Sequence, residues 1–181
     1  MFELSARAQD YVERTKQFIQ NEIEPIETDF WHEVHELNQG GDWTKWQWPA
    51  QLETLKAKAK ADVKHIVLPE GSEERTVQAA RLITDQGIAK VTLIGKSEDI
   101  KAAAARFNVN VDDIAMIDPA ASELYPGYCE KFAEMRAKKG VTLEQAQKTM
   151  LDPLFFAAMM VYDDKADGFV SGAINTTGNT L

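Results

Sequence analysis

Apolar positions follow two different rhythms along this chain. From Leu4, the residues Ala8, Tyr11, Val12, Phe18, Ile19, Ile23 and Ile26 recur at helical spacing with Arg, Lys, Glu and Gln between them. That is the pattern of a helix with one apolar stripe. Pro25 is expected to kink or end this helix, because it has no N–H and its ring clashes with the preceding turn. Phe30 to Leu37 restarts it, and Gly40-Gly41 breaks it. Trp43 to Pro49 (WTKWQWP) holds three of the four tryptophans, which are expected to serve as packing anchors, and Gln51 to Lys60 reads as one more helix.

From Val63 the rhythm changes to short apolar runs alternating with amphipathic segments. His65 to Pro69 reads as a buried strand closed by a turn. Ser72 is expected to cap a helix carrying Arg75, Val77, Ala80, Leu82 and Ile83 and ended by Gly87. Val91 to Gly95 is a second strand, and a helix runs from Ser97 to Phe107. Ile114 to Ile117 is a third strand, followed by a helix from about Tyr128 to Lys139 that ends at Gly140. Thr142 and Gln145 have the spacing of a capping box. Pro153 opens a helix carrying Phe155, Phe156, Met159 and Met160, and Gly168 to Ser171 is the last strand.

Strands alternating with helices predict an α/β fold: a three-layer, doubly wound, mostly parallel sheet with helices on both faces. The expected organisation is a helical extension at 1–55 and an α/β domain at 56–181. The last strand leads into a corner just before Leu181, so the sheet is expected to be truncated. An open edge strand together with tryptophan-rich helices favours association, including as a homo-oligomer.

Composition narrows the function. The chain has 181 residues, 44% hydrophobic and 27% charged, with a net charge of −9. An acidic balance argues against a nucleic-acid binder, which needs a basic face. A local basic pocket for a small anion is still compatible with it. The single cysteine, Cys129, has no internal disulfide partner and fits a reducing, cytoplasmic setting. Met1 opens into a charged segment without a signal-peptide core, and no apolar run approaches the roughly 20 residues that span a bilayer. A soluble protein away from the membrane is expected.

Candidate chemistry concentrates at Ser171–Leu181 (SGAINTTGNTL). Ser171, Thr176, Thr177 and Thr180 surround two glycines at a strand-to-helix corner. Free N–H groups and hydroxyls in such a corner suit a phosphate, although a plain structural turn has the same composition. In Pro69–Thr76 (PEGSEERT), Glu70, Glu73 and Glu74 would repel an anion and read as ordinary first-turn acids of a helix. His32 and His35 are three residues apart, not the four of a zinc-hydrolase helix, and read as a solvated face. Cys129 reads as a buried thiol. Arg136, followed by Lys138 and Lys139, either favours a helix C-terminus or binds an anion. No G-x-G-x-x-G, Walker loop or paired-cysteine motif is present.

Three stretches carry a family likeness: LKAKAKADVKHIVLPEGSEERTVQAARLITDQGIAKVTLIG from Leu55, EMRAKKGVTLEQAQ from Glu134, and DGFVSGAINTTGNTL from Asp167. Together they resemble the phosphate acetyltransferase, or phosphotransacetylase, family over about residues 55–181. The resemblance implies acetyl transfer between acetyl phosphate and coenzyme A, with a thiolate attacking the acetyl carbonyl and phosphate departing. Coenzyme A would enter as a substrate, with no resident cofactor and no metal. It further implies Arg136 as a coenzyme A contact and Ser171, Thr176, Thr177 and Thr180 as phosphate contacts. The family usually has His at the position of Asn175 and Arg directly after the position of Leu181. Its base and strongest phosphate arginine come from sequence beyond that point, so the catalytic residues are unassigned here and full activity is not expected of this chain.

The stretch FELSARAQDYVERTKQFIQNEIEPIETDFWHEVHE from Phe2, continued by GDWTKWQWP, is similar to the N-terminal helices of acyl-CoA dehydrogenase-like proteins. That likeness implies scaffold helices without flavin contacts. A fusion of the two halves would account for both likenesses. The alternative readings are a non-catalytic helical interaction fragment and an acyl-CoA dehydrogenase-like fragment.

Overall fold

The computed structural model describes residues 6–175. The chain divides into two compact units, Met1–Lys56 and Ala57–Leu181.

The first unit opens with α1 (Ala6–Phe18), a π-helical turn (Ile19–Ile23) and α2 (Glu24–Leu37). Pro25 neither ends nor interrupts the helical course. The N–H of Glu24 donates to the Ile19 carbonyl, five residues back, which widens the ladder where Pro25 has no N–H to give. Pro25 then lies in the first turn of α2, where a missing donor costs little. Ile23, Ile26, Phe30 and Val34 form a half-buried stripe. Asn38 ends α2 and fastens the following loop: its Nδ2 donates to the carbonyls of Val34 and Gln47, and its Oδ1 accepts from the Gln47 N–H at 2.7 Å. A 3-10 turn follows at Trp43–Lys45. Trp46 and Trp48 are not packing anchors here: they are 54% and 62% exposed. His32 and His35 lie on an exposed helix face, as anticipated.

Helix α3 (Gln51–Ala61) leads to β1 (Lys64–Leu68). The second unit continues through α4 (Glu74–Gln86), β2 (Ala89–Ile94), α5 (Ser97–Arg106) and β3 (Ala115–Ile117). After a 3-10 turn at Pro119–Ala121 come α6 (Tyr125–Arg136), α7 (Leu143–Met150), α8 (Pro153–Tyr162) and β4 (Gly168–Phe169). The four strands are all parallel, in the order β3-β2-β1-β4.

Strand residues alternate between two cores. Val67 and Ile94 pack with Tyr128, Cys129, Met150 and Phe156 from α6, α7 and α8. Leu68, Val91 and Leu93 pack with Val77, Ala80, Ile100 and Ala103 from α4 and α5. Successive side chains of a strand point to opposite faces, so a sheet apolar on both faces needs a helical layer on each. The crossover rule assigns the layers. The path β1 to β3 runs one way across the sheet, and the return to β4 runs the other way. Right-handed connections therefore put α4 and α5 on one face and α6 to α8 on the other. The doubly wound α/β reading is borne out.

Local signals account for most boundaries. Thr142 and Gln145 form the reciprocal capping box, with bonds of 3.2 and 3.0 Å. Asp152 caps α8 ahead of Pro153. Gly87 and Gly140 adopt left-handed conformations after their helices. Two expectations are corrected. The cap of α4 is Glu73, not Ser72: the Gly71 N–H is pinned to the Ile94 carbonyl at 3.1 Å, which delays the helix, and Glu73 then accepts from the Thr76 N–H at 2.9 Å. Helix α6 begins at Tyr125 rather than Tyr128, with Pro126 in its first turn. Among the described residues no helix is long and apolar enough to cross a membrane.

Candidate functional site

Strand β1 has β2 on one side and β4 on the other. It is the point where the order of winding reverses, and in open parallel sheets the crevice for ligands lies beyond the carboxyl ends of the strands at such a point. Two segments leave the sheet there. Pro69-Glu70-Gly71 follows β1, and Ser171–Asn175 follows β4. Gly71 is the residue the close approach demands. A Cβ at this position would lie 2.6 Å from the Ile94 carbonyl oxygen, well inside van der Waals contact.

Glu70 occupies the centre of this corner. Its Oε2 accepts from the N–H groups of Gly172 at 3.0 Å and Ala173 at 2.8 Å. Its Oε1 accepts from the N–H groups of Ile174 at 2.9 Å and Asn175 at 2.7 Å, and from Asn175 Nδ2 at 2.9 Å. The residue is 5% exposed. Burial pushes its pKa up, but the four backbone donors of Ile174, Asn175, Ala173 and Gly172 outweigh that and bring it down to about 2. A carboxylate so held stays ionised across the physiological range.

This overturns one expectation of the sequence. The N–H groups of Gly172–Asn175 are not free for phosphate, because an internal carboxylate accepts from all four. It also overturns the reading of Glu70 as a first-turn acid of α4; Glu73 caps that helix and Glu74 is the acid of its first turn. The signal that could have revealed Glu70 was its place between a buried strand and a close-approach glycine. The neighbouring Glu73 and Glu74 hide it, because together the three acids make the segment look anion-repelling.

Two cavities flank the corner. One, of about 280 Å³, is mainly apolar and is lined by Ile66, Leu68, Glu70, Arg75, Thr76 and Ser171 among others. The other, of about 510 Å³, is mixed in character and includes Ser72, Gly95, Lys96, Asp118, Asp152 and Asn175. Arg75 bridges the corner to α4: its Nη2 donates to the Ala173 carbonyl at 2.6 Å and its Nε to Glu73 Oε1 at 2.7 Å. Asp118 and Asp152 are already engaged, each accepting a backbone N–H at 2.9 Å. Of the predicted site residues, Ser171 lines the first cavity and its Oγ accepts from Asn175 Nδ2 at 3.5 Å. Arg136 is half-buried at the end of α6, with its guanidinium carbon 5.8 Å from the Phe132 ring centre, and it lines neither cavity. Thr176, Thr177 and Thr180 lie outside the described residues. Among the described residues no three His, Cys, Asp or Glu side chains are arranged to hold a metal ion.

The family model described as phosphate acetyl/butaryl transferase matches residues 51–181. The chain belongs to this family. Among its relatives, the phosphate acetyltransferase of Acetivibrio thermocellus is 43% identical over 130 residues, which are 72% of this chain and 39% of the relative. That of Treponema pallidum is 43% identical over 131 residues, again 39% of the relative. Among solved structures, the EutD phosphotransacetylase from Staphylococcus aureus is similar with a TM-score of 0.65 at 37% identity, over 71% of this chain and 39% of that one. A phosphotransacetylase from Streptococcus pyogenes gives 0.67 at 33% identity over the same shares. The chain thus spans about two-fifths of the length of these relatives. The family match starts four residues before Leu55, where the likeness quoted from the sequence begins.

Proposed function

We propose that this chain contributes one wall of a cleft for acetyl transfer between acetyl phosphate and coenzyme A. The observation that carries the reading is family membership over 51–181 combined with a hydroxyl-bearing loop at the switch point of the sheet. Acetyl transfer of this kind needs a deprotonated thiol at the acetyl carbonyl and donors for the departing phosphate. Ser171 is proposed as a phosphate donor through its hydroxyl, with Thr176, Thr177 and Thr180 continuing the same run. Arg136 is proposed to hold a phosphate of coenzyme A in a bidentate fork. Coenzyme A enters as a substrate, and no resident cofactor is part of the proposal. The general base is not assigned to any residue of this chain. More than half of each relative's length lies outside the matched segment, so the 181-residue chain alone is expected to turn over poorly.

Titration calorimetry with coenzyme A tests the reading. Saturable binding is expected, and Arg136→Ala is expected to weaken it by about tenfold or more, since a charge-assisted contact contributes roughly 1.5–3 kcal/mol. Equal affinity for variant and parent rejects the role of Arg136. A parent chain without saturable binding rejects the acetyl-transfer reading itself. A coupled assay of acetyl-CoA formation from acetyl phosphate is expected to show turnover far below the 1–1000 per second that is roughly typical of enzymes.

The same proposal divides the chain into modules at about 1–55 and 56–181, supported by the start of the family match and by the two compact units. The first module is proposed as a scaffold of the kind its acyl-CoA dehydrogenase-like resemblance implies. Buried Cys129 supports a reducing, cytoplasmic setting. Limited trypsin digestion, with Lys56, Lys58 and Lys60 at the junction, is expected to separate the modules. Protection of all three lysines would count against the division.

A further inference from the structure

We propose that Glu70 is the positioning residue of this cleft: its carboxylate is the resident anion around which Ser171–Asn175 is wrapped, so a ligand meets the hydroxyl side of the loop and not its N–H groups. The consequence for a ligand rests on the acetyl-transfer reading; the role in shaping the loop does not.

Four consecutive backbone N–H groups turn toward one carboxylate here, and Gly172 helps the chain make that turn with a φ of +125°. Such a concavity is self-repelling when empty, because the positive ends of four peptide dipoles face one another. A charge at its centre makes the conformation stable. Here the charge is supplied from the far side of the switch point, 102 to 105 residues earlier in sequence. Its own backbone is fixed. The Glu70 carbonyl accepts from the Glu73 N–H at 2.9 Å, and the Gly71 N–H that follows is pinned to the end of β2. The loop after β4 is thereby tied to the β1–β2–α4 corner rather than to its own strand alone.

The geometry also orients the hydroxyl. Both oxygens of Glu70 are acceptors, so the Asn175 amide must turn its Nδ2 toward them. The same Nδ2 donates to Ser171 Oγ at 3.5 Å. A hydroxyl that accepts on one side presents its O–H elsewhere, and Ser171 borders the cavity shared with Arg75. Glu70 acts on a ligand only through Asn175 and Ser171. The strongly lowered pKa of Glu70 agrees with this arrangement.

The test compares the 181-residue chain with Glu70→Ala, using amide hydrogen exchange and the binding of inorganic phosphate. In Glu70→Ala the amides of residues 172–175 are expected to exchange at least about tenfold faster, while those of β2 stay unchanged. Added formate, a small carboxylate that fits the vacated space, is expected to restore protection to within about threefold in the variant and to do nothing in the parent, because the donors stay matched to an anion. Affinity for inorganic phosphate is expected to fall with the loop's protection and to return with formate. Unchanged exchange at 172–175 overturns the resident-anion role. Loss of protection that formate does not restore also overturns it, since simple loss of packing would give that result. Loosened exchange with unchanged phosphate affinity overturns the positioning role. A parent that binds no phosphate removes the phosphate role of Ser171 and the ligand consequence with it, while exchange and formate still decide the loop. If Glu70→Ala does not fold, Glu70→Gln keeps the shape without the charge, and the same exchange criterion applies.

Discussion

Replacing Glu70 by Gln should cost more stability at neutral pH than in strong acid. The side chain is 5% exposed and accepts five hydrogen bonds. Five bonds to a charged acceptor, at roughly 1.5 kcal/mol or more each, give a gross gain above about 7 kcal/mol, and burial of the charge takes back part of it. The net is read from the fall in pKa from 4.5 to about 2. Each tenfold in proton affinity is worth about 1.4 kcal/mol, so the folded chain favours the carboxylate by about 3 kcal/mol. The folded value lies below the unfolded one. The contribution is therefore fully present above about pH 4.5 and is lost as pH falls toward 2. Denaturant unfolding of parent and variant at a series of pH values from 7 to 2 measures it. Glu73, Asp113 and Asp163 also have lowered values, but they are common to both proteins and cancel in the difference. The difference is expected to be about 3 kcal/mol larger at pH 7 than at pH 2, with the change setting in below pH 4.5. A difference that is constant over that range would refute the reasoning, because its pH-dependent part comes from the ionisation of Glu70 alone.

Three further outcomes follow from the packing. Gly71→Ala places a methyl 2.6 Å from the Ile94 carbonyl oxygen and should destabilise the α/β unit by roughly 1–3 kcal/mol, read as a lower thermal midpoint by circular dichroism. Phe156→Ala empties a fully buried site beside Tyr128, whose ring centre is 5.2 Å away, and should cost about 3–5 kcal/mol by denaturant unfolding. Burial pushes the Cys129 thiol up, against an opposing hydrogen bond with Tyr125. A disulfide reagent at mildly alkaline pH should leave the folded chain unmodified and titrate one thiol after denaturation.

The elements were legible wherever their signals lie within a few residues of one another. Thr142 with Gln145 and the glycines at 87 and 140 set helix ends through bonds that span three to five positions, and Pro153 marks a helix start. The apolar runs at His65, Val91 and Gly168 marked strands because a sheet covered on both faces needs continuous hydrophobicity. Local chemistry also hinted at the family through the PEGSEERT and SGAIN segments. What these segments do to each other was not legible. Glu70 looked like a residue that would drive an anion away, and only the placing of β4 beside β1 makes it the anion. For Arg136 the resemblance implied a coenzyme A contact, and the fold sets it beside Phe132, lining neither cavity. By itself the sequence determined the rhythm of strands and helices and the residue types available at the corner, because both depend on neighbours along the chain. Strand order was decided by tertiary structure alone, and with it which carboxylate meets which N–H groups across more than a hundred residues.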